Sequence, residues 1–330
     1  MGTDIQLSAL RLGKVLGEGA EGQVFALPDR PDDAYKRYRT VDIDAEALAA
    51  VIDFPHRLSA VERRVLMSGA TWPAHRVVDG TRTVGFVMRR IPPRFLGRTA
   101  ASPQQPRQLQ YLMFARTGFW GDILPLDAAA RIGFLRATLA VFRVLHAHGA
   151  VVGDVSQANV LWSDAAETLV IDCDGVRLAG GTTVLPPKET IDWTDHTLSG
   201  PPDLASDRYK IANLIMRVMT ASADTEPPEA STPAMPGVPH NIAEACRVLY
   251  RRAALPRDRR PTVEEWDRAL RGLDGRARTP AVPRQGVPVL DVSEGARPPR
   301  TYIATPQARS ARTGPPRHAL EGSVGRPAQS

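Results

Sequence analysis

Apolar positions recur in two rhythms, and the change from one to the other divides the chain. Up to about residue 91 they fall in short β-branched runs broken by glycine. Arg11 to Leu16 and Gln23 to Leu27 are separated by Gly17, Gly19 and Gly22, and Ala34 to Tyr38 follows. These read as strands, as does Val84 to Ile91, closed by Pro92 and Pro93. Asp44 to Ile52, with an acidic first turn and strong helix formers, predicts a helix among them. From about residue 104 the spacing becomes helical. Ile132, Leu135, Leu139, Phe142 and Leu145 line one face of a predicted helix over Asp127 to His146. Two short strands, Val160 to Trp162 and Thr168 to Ile171, flank an Asp-Ala-Ala-Glu turn. Helices are expected over Asp207 to Thr220, Asn241 to Ala253 and Thr262 to Leu273. The fold class is α+β, a β-rich part (10–91) ahead of a helical part (92–273). Residues 221–240, with five prolines, read as a loop.

Composition adds a third region. Beyond Leu273, Pro, Arg, Gly, Ala, Ser and Thr dominate and no period survives, so 274–330 is expected to be a disordered tail. The net charge of +6 over 330 residues suggests nucleic acid until it is located. Residues 271–330 hold ten arginines, no lysine and four acids, which is the whole excess, so the preceding 270 residues are near neutral. The basic character belongs to the tail, and a specific nucleic-acid partner is not expected. The two cysteines, Cys173 and Cys246, make neither a disulfide framework nor a zinc cluster, which fits a reducing cytoplasm. The most apolar stretch, Ile132 to Val152, is broken by Arg136, Arg143, His146 and His148, so no membrane span is expected. Met1 to Leu10 carries Asp4 and Gln6 and does not read as a secretory signal.

Four segments carry chemistry. Gly17-Glu18-Gly19-Ala20-Glu21-Gly22-Gln23-Val24 is a G-x-G-x-x-G-x-V loop, whose glycines let backbone approach phosphate oxygens. A dinucleotide site needs a helix directly after such a loop. Here a strand follows and Pro28 ends it, so the loop turns strand to strand; a hairpin without a ligand also satisfies this motif taken singly. Lys36 lies on the next strand, where an ammonium suits phosphates, with Arg37 and Arg39 as competitors. In Gly153-Asp154-Val155-Ser156-Gln157-Ala158-Asn159, Asp154 is placed to accept or orient the proton of an attacking hydroxyl, and Asn159 to hold a metal ion. Leu169-Val170-Ile171-Asp172-Cys173-Asp174-Gly175 delivers Asp172 from a strand end as a Mg2+ ligand. Each of the last two segments, isolated, also reads as a plain polar turn; their order is what points to metal-assisted phosphoryl transfer.

Over about residues 10 to 273 the chain resembles the eukaryotic-type protein kinase superfamily. The Gly17 to Val24 loop, Lys36, Asp154 with Asn159, and Asp172 match the phosphate loop, strand lysine, catalytic loop and metal triplet. Ser206 to Ile211 resembles the start of the central helix of the large lobe, and Pro256 to Thr262 the Arg-Pro-Thr near the domain end, where Arg260 would have a structural ion pair. The Gly-Asp-Val-x-Gln-x-Asn and Asp-Cys-Asp segments resemble a bacterial branch sometimes called helix-hairpin-helix kinases. The resemblance implies a bilobal fold and a signalling kinase that uses ATP and Mg2+ to phosphorylate Ser/Thr of a protein substrate. It implies Met88 as gatekeeper, Arg89 to Ile91 as the adenine-contacting hinge, and a helix glutamate paired with Lys36: Glu46, with Glu62 as the rival.

The departures bear on mechanism. Gly153 replaces the arginine that usually precedes the catalytic Asp and pairs with a phosphate on the activation segment, so phosphate-gated activation by that route is not expected. Ser156 replaces a lysine that contacts the γ-phosphate, Cys173-Asp174 replaces Phe-Gly, and no Ala-Pro-Glu occurs between 176 and 206, where Gly200-Pro201-Pro202-Asp203 is a poor substitute. Three alternatives stay open: a pseudokinase, a small-molecule phosphotransferase, and a scaffold acting through its tail, in which Pro280 to Pro283 has PxxP-like spacing and a regulatory partner is conceivable.

Overall fold

The computed structural model describes residues 4–227 and 234–273. The tail, with the disorder and partner expectations attached to it, lies outside the described residues, as does part of the proline-rich loop. The described residues belong to one compact unit.

Strands β1 (Ile5–Gln6), β2 (Val15–Glu18), β3 (Gly22–Ala26) and β4 (Asp33–Tyr38) come first, followed by helices α1 (Ala45–Asp53) and α2 (Ala60–Gly69), then strands β5 (Pro73–Asp79) and β6 (Arg82–Arg89). The six strands form one sheet in the order β1-β5-β6-β4-β3-β2, antiparallel except for β1 against β5. Register places Lys36 between Val24 and Phe86, and Ala34 opposite Met88. Because strand side chains alternate, Tyr35 goes to one face with Val77 and Val87. Lys36 and Tyr38 go to the other, where Leu48 and Ile52 of α1 pack on Tyr38 and Phe86. Asp44 caps α1 by accepting from Ala47 N.

A small ladder, β7 (Leu96–Gly97) with β8 (Gln105–Pro106), and a short helix α3 (Gln110–Met113) lead to α4 (Ala128–Ala147). Asp127 caps α4, whose stripe Phe134, Leu135, Leu139, Phe142 and Leu145 is buried as the helical period requires. β9 (Val160–Trp162) and β10 (Thr168–Val170) pair antiparallel, and β10 lies against α4. The remaining helices are α5 (Leu204–Thr220), α6 (His240–Ala253) and α7 (Val263–Leu270). Together with α4 they enclose the larger core, in which Trp162, Trp193 and Trp266 are buried.

α5 is buried on nearly every side. Its polar residues Asp207, Lys210, Asn213 and Arg217 recur every three or four positions, yet all four are at most 2% exposed. A buried polar stripe is tolerated only where each group finds a partner. Lys210 donates to Gly153 O and Glu189, Asn213 accepts from Tyr250 Oη, and Arg217 reaches Thr225 O and Asp192 O. Asp207 accepts from two backbone N–H groups of the segment that carries Asp154.

Candidate active site

The loop between β2 and β3 closes through Gly19 N donating to Gly22 O at 2.9 Å. Its glycines do different work. A Cβ on Gly22 would lie 2.3 Å from Arg37 O, so that glycine is needed for β3 to approach β4. At Gly17 and Gly19 an added Cβ meets nothing within 4 Å, so these two face open space. Glu18 is tied to Arg39, which also donates to Gly19 O at 3.0 Å. Arg39 is therefore occupied at the loop and Arg37 is exposed, while Lys36 is only 4% exposed. Of the three cations, Lys36 is the one that points inward.

Around the Lys36 ammonium stand three carboxylates. Its Nζ donates to Asp172 Oδ1 at 2.6 Å and to Asp174 Oδ1 and Oδ2 at 2.8 and 2.9 Å, with Glu21 at 3.5 Å. The Tyr38 and Phe86 rings lie 5.8 and 5.7 Å away. Burial alone pulls the lysine pKa down; the charges of Asp174 and Asp172 outweigh it and hold the ammonium protonated. Burial pushes the Asp174 carboxyl up, against the opposing pull of Lys36.

The expected lysine partner is corrected here. Glu46 is exposed in the first turn of α1, because the face of α1 turned to the sheet is apolar, Leu48 and Ile52. Glu62 caps α2 with Ser59 Oγ at 2.6 Å and meets His148 at 3.1 Å, and those bonds hold its carboxyl down to about 2. Neither forms an ion pair with Lys36.

Asp154 sits after α4 on a loop fixed from behind. Gly153 has φ +76°, a left-handed conformation that favours glycine and gives a physical reason for glycine at this position. Gly153 N and Val152 N donate to Asp207 at 2.9 and 2.7 Å, and Lys210 Nζ donates to Gly153 O at 2.7 Å. Asn159 Nδ2 donates to Asp154 Oδ2 at 2.8 Å and to Asp154 O at 3.0 Å, which leaves the amide oxygen Oδ1 for another ligand. Thr190 Oγ1 donates to Asp154 Oδ1 at 2.7 Å. Burial raises the Asp154 pKa, opposed by these two side-chain bonds and the Lys210 charge. Ser156 is fully buried and its hydroxyl has no partner, so it brings nothing to the cleft.

Asp172 follows β10 in the left-handed region, φ 62° and ψ 39°, a conformation that aspartate tolerates better than most residues but that still costs energy. The turn it opens sends Cys173 into the core beside Leu66 and Trp72. Asp172 and Asp174 line the cleft together with Asp154, Asn159 and Glu21. Ile91 and Ile171 pack against the buried cluster of Phe95, Leu161 and Leu169, and Met88 packs against the cluster that holds Tyr38 and Phe86. Ile171, which lines the cleft, was not singled out from sequence, since an apolar strand residue carries no chemical signature.

A strap over residues 182–190 crosses this cleft. Thr182 Oγ1 donates to Asp44, Val184 packs on α1, Lys188 pairs with Glu21 at 3.3 Å, and Glu189 pairs with Lys210. Further along, Asp195 accepts from Arg260 at 2.5 and 3.1 Å and from Arg257 at 2.7 Å. The acid partner of Arg260, for which the sequence offered no Ala-Pro-Glu, is thus Asp195. Asp203, in the poor substitute, caps α5.

No family model matches the chain. It is 26% identical over 220 residues to Protein kinase YegI of Escherichia coli strain K12, covering 63% of this chain and 31% of that protein. Protein kinase YegI of Escherichia coli O157:H7 is 25% identical over 219 residues, with the same coverage. The chain therefore spans about a third of the length of the curated relatives it matches. No described helix is long and apolar enough to cross a membrane.

Proposed function

We propose that the chain is an ATP-dependent protein kinase that transfers the γ-phosphate to Ser or Thr hydroxyls. The observation that carries this reading is that Asp154, Asn159 and Asp172 line one cleft and Lys36 reaches it through Asp172, four residues from three separated segments. The distant similarity to proteins named protein kinase supports it. A bilobal division belongs to the same reading: residues 10–91 as the smaller lobe, 92–273 as the larger, with Met88 to Ile91 as the hinge against the adenine.

Asp154 would accept or orient the proton of the incoming hydroxyl. Its bonds from Asn159 and Thr190 fix the carboxylate, and its burial raises its basicity. Lys36 would hold the α- and β-phosphates, with Gly17 and Gly19 leaving room above them. Val24, Met88 and Ile91 would line the adenine side. The donor set suits Mg2+: Asp172 offers an exposed carboxylate and Asn159 an amide oxygen, hard ligands that leave room for phosphate and water. Asp174 is not available for this, because Lys36 and Tyr38 occupy its oxygens. When bound, Mg2+ would neutralise phosphate charge; everything else is positioning by the chain.

The pseudokinase reading draws on buried Ser156, which supplies no charge to the transferring phosphate. Incubation of purified protein with γ-labelled ATP and Mg2+ decides between them. Label is expected in the wild-type chain and lost in both Asp154→Asn and Asp172→Asn. Equal labelling in those variants sinks the mechanism, and no labelling of the wild type in the presence of generic basic acceptors favours nucleotide binding without turnover.

A further inference from the structure

We infer that Asp174 is the residue that positions Lys36, so that the phosphate-holding lysine takes its fixed partner from the metal loop and not from a helix. This rests on the phosphoryl-transfer reading above and goes beyond it in assigning the second acid of Asp172-Cys173-Asp174 a separate task.

The two acids meet the same ammonium in different ways. Asp172 offers one oxygen at 2.6 Å and its side chain is 46% exposed. Asp174 offers both oxygens, at 2.8 and 2.9 Å, and its side chain is 3% exposed. A second donor backs it: Tyr38 Oη reaches Asp174 Oδ2 at 2.9 Å. An acid on the open side of the cleft is able to exchange the lysine for a metal ion; one enclosed by two donors is not. An ammonium as buried as Lys36 does not tolerate losing its close counter-charges. If Asp172 turns to the metal, Asp174 remains as the buried, doubly bonded counter-charge, with Glu21 farther off at 3.5 Å and 25% exposed.

A helix acid is closed off by packing. The α1 face over Tyr38 and Phe86 presents Leu48 and Ile52, and a carboxylate there would be buried among aliphatic groups. The turn itself fixes Asp174. Left-handed Asp172 begins it, and buried Cys173 anchors it to the core, with Sγ 3.5 Å from Val170 O. In kinases that pair their lysine with a helix, the lysine–glutamate pair and the metal aspartate are separate conditions for activity. Here one four-residue turn would meet both, and displacement of α1 would not uncouple Lys36.

The test measures, on full-length protein, the apparent KM for ATP and the maximal rate of autophosphorylation with γ-labelled ATP. Asp174→Asn, nearly equal in volume, is expected to raise the KM about tenfold or more, as loss of a charge-assisted pair does. Asp174→Glu should recover part of the loss, and Glu46→Gln should stay within about twofold of wild type. In a Lys36→Met background, Asp174→Asn should add little, the non-additivity of a pair acting as one unit. A KM unchanged by Asp174→Asn, a loss in Glu46→Gln instead, or full additivity with Lys36→Met overturns the assignment. Should wild type bind MgATP without transferring phosphate, the function proposal fails alone. The size of the MgATP-induced thermal shift then reads the same pair: a shift diminished in Asp174→Asn supports the assignment, and an unchanged one overturns it. Absence of any MgATP shift in wild type overturns both.

Discussion

Asp195 is enclosed between two guanidinium groups, Arg257 and Arg260, with Thr197 donating from both its hydroxyl and its N–H. Burial pushes its carboxyl up, but the Arg260 and Thr197 bonds and the Arg260 charge prevail and hold it at about 2, below its ordinary 3.8. A carboxylate depressed in the folded state contributes stability that is fully present above its unfolded value. That contribution is lost as pH falls through the folded value, here between about 4 and 2. A shift of this size corresponds to roughly 2 kcal/mol. Asp195→Asn removes the charge and leaves Arg260, 2% exposed, without its counter-ion, which costs about 3–5 kcal/mol at neutral pH. Urea unfolding is expected to show that loss at pH 7, and a shallower decline of stability below pH 4 in the variant. Equal acid sensitivity in both proteins would argue that other carboxylates dominate.

At the scale of elements, the glycine loop separates folding from function. Gly22→Ala drives a methyl to within 2.3 Å of Arg37 O in the neighbouring strand, so β3 and β4 must move apart. A cost of about 1–3 kcal/mol in unfolding free energy is expected, as for other overpacked sites. Gly17→Ala and Gly19→Ala meet open space and should leave stability within about 0.5 kcal/mol. They should nonetheless weaken MgATP binding, read as a smaller thermal shift, since the open face is what phosphates would need. Loss of stability without loss of nucleotide in these two variants would count against a phosphate loop. Elements with strong local signals were legible in the sequence. Asp44, Asp127 and Thr262 cap the helices predicted to begin there, and β9 and β10 lie within a residue of expectation. α5 starts three residues earlier than read, because Asp203 and Ser206 form its capping box. α2 and β5 were not read at all. α2 buries only Leu66 and Gly69, too few for a helical period to stand out, and β5 opens on Pro73 and carries His75 and Arg76. The acid facing Lys36 was misread for a different reason. Helix faces and metal-loop turns meet only in tertiary packing, and nothing local marks Asp174 as buried or Glu46 as exposed.

For the molecule as a whole, α5 is the member to which distant parts of the site are tied. Asp207 holds Val152 N and Gly153 N and meets His146 at the end of α4; Lys210 holds Gly153 O and Glu189 of the strap; Ala205 O accepts from Arg260. The Asp154 loop thus has no regular structure of its own and borrows its shape from a buried helix, which is why Gly153 keeps its left-handed conformation without strand or helix support. Truncating Asp207 uncovers two backbone donors in the interior, each costing about 1–3 kcal/mol. Asp207→Ala is therefore expected to lower unfolding free energy by roughly 3–5 kcal/mol and to remove phosphate transfer even below its own unfolding midpoint. Asp207→Asn, which keeps one acceptor for the loop, should lose less stability and retain partial transfer. MgATP-induced stabilisation separates the effect on the loop from general unfolding. On the proposed reading nucleotide affinity would depend on Lys36, Asp172 and the glycine loop, so Asp207→Asn should keep most of the thermal shift while the transfer rate falls. If shift and rate instead fall together in proportion, α5 supports the cleft as a unit and not Asp154 in particular.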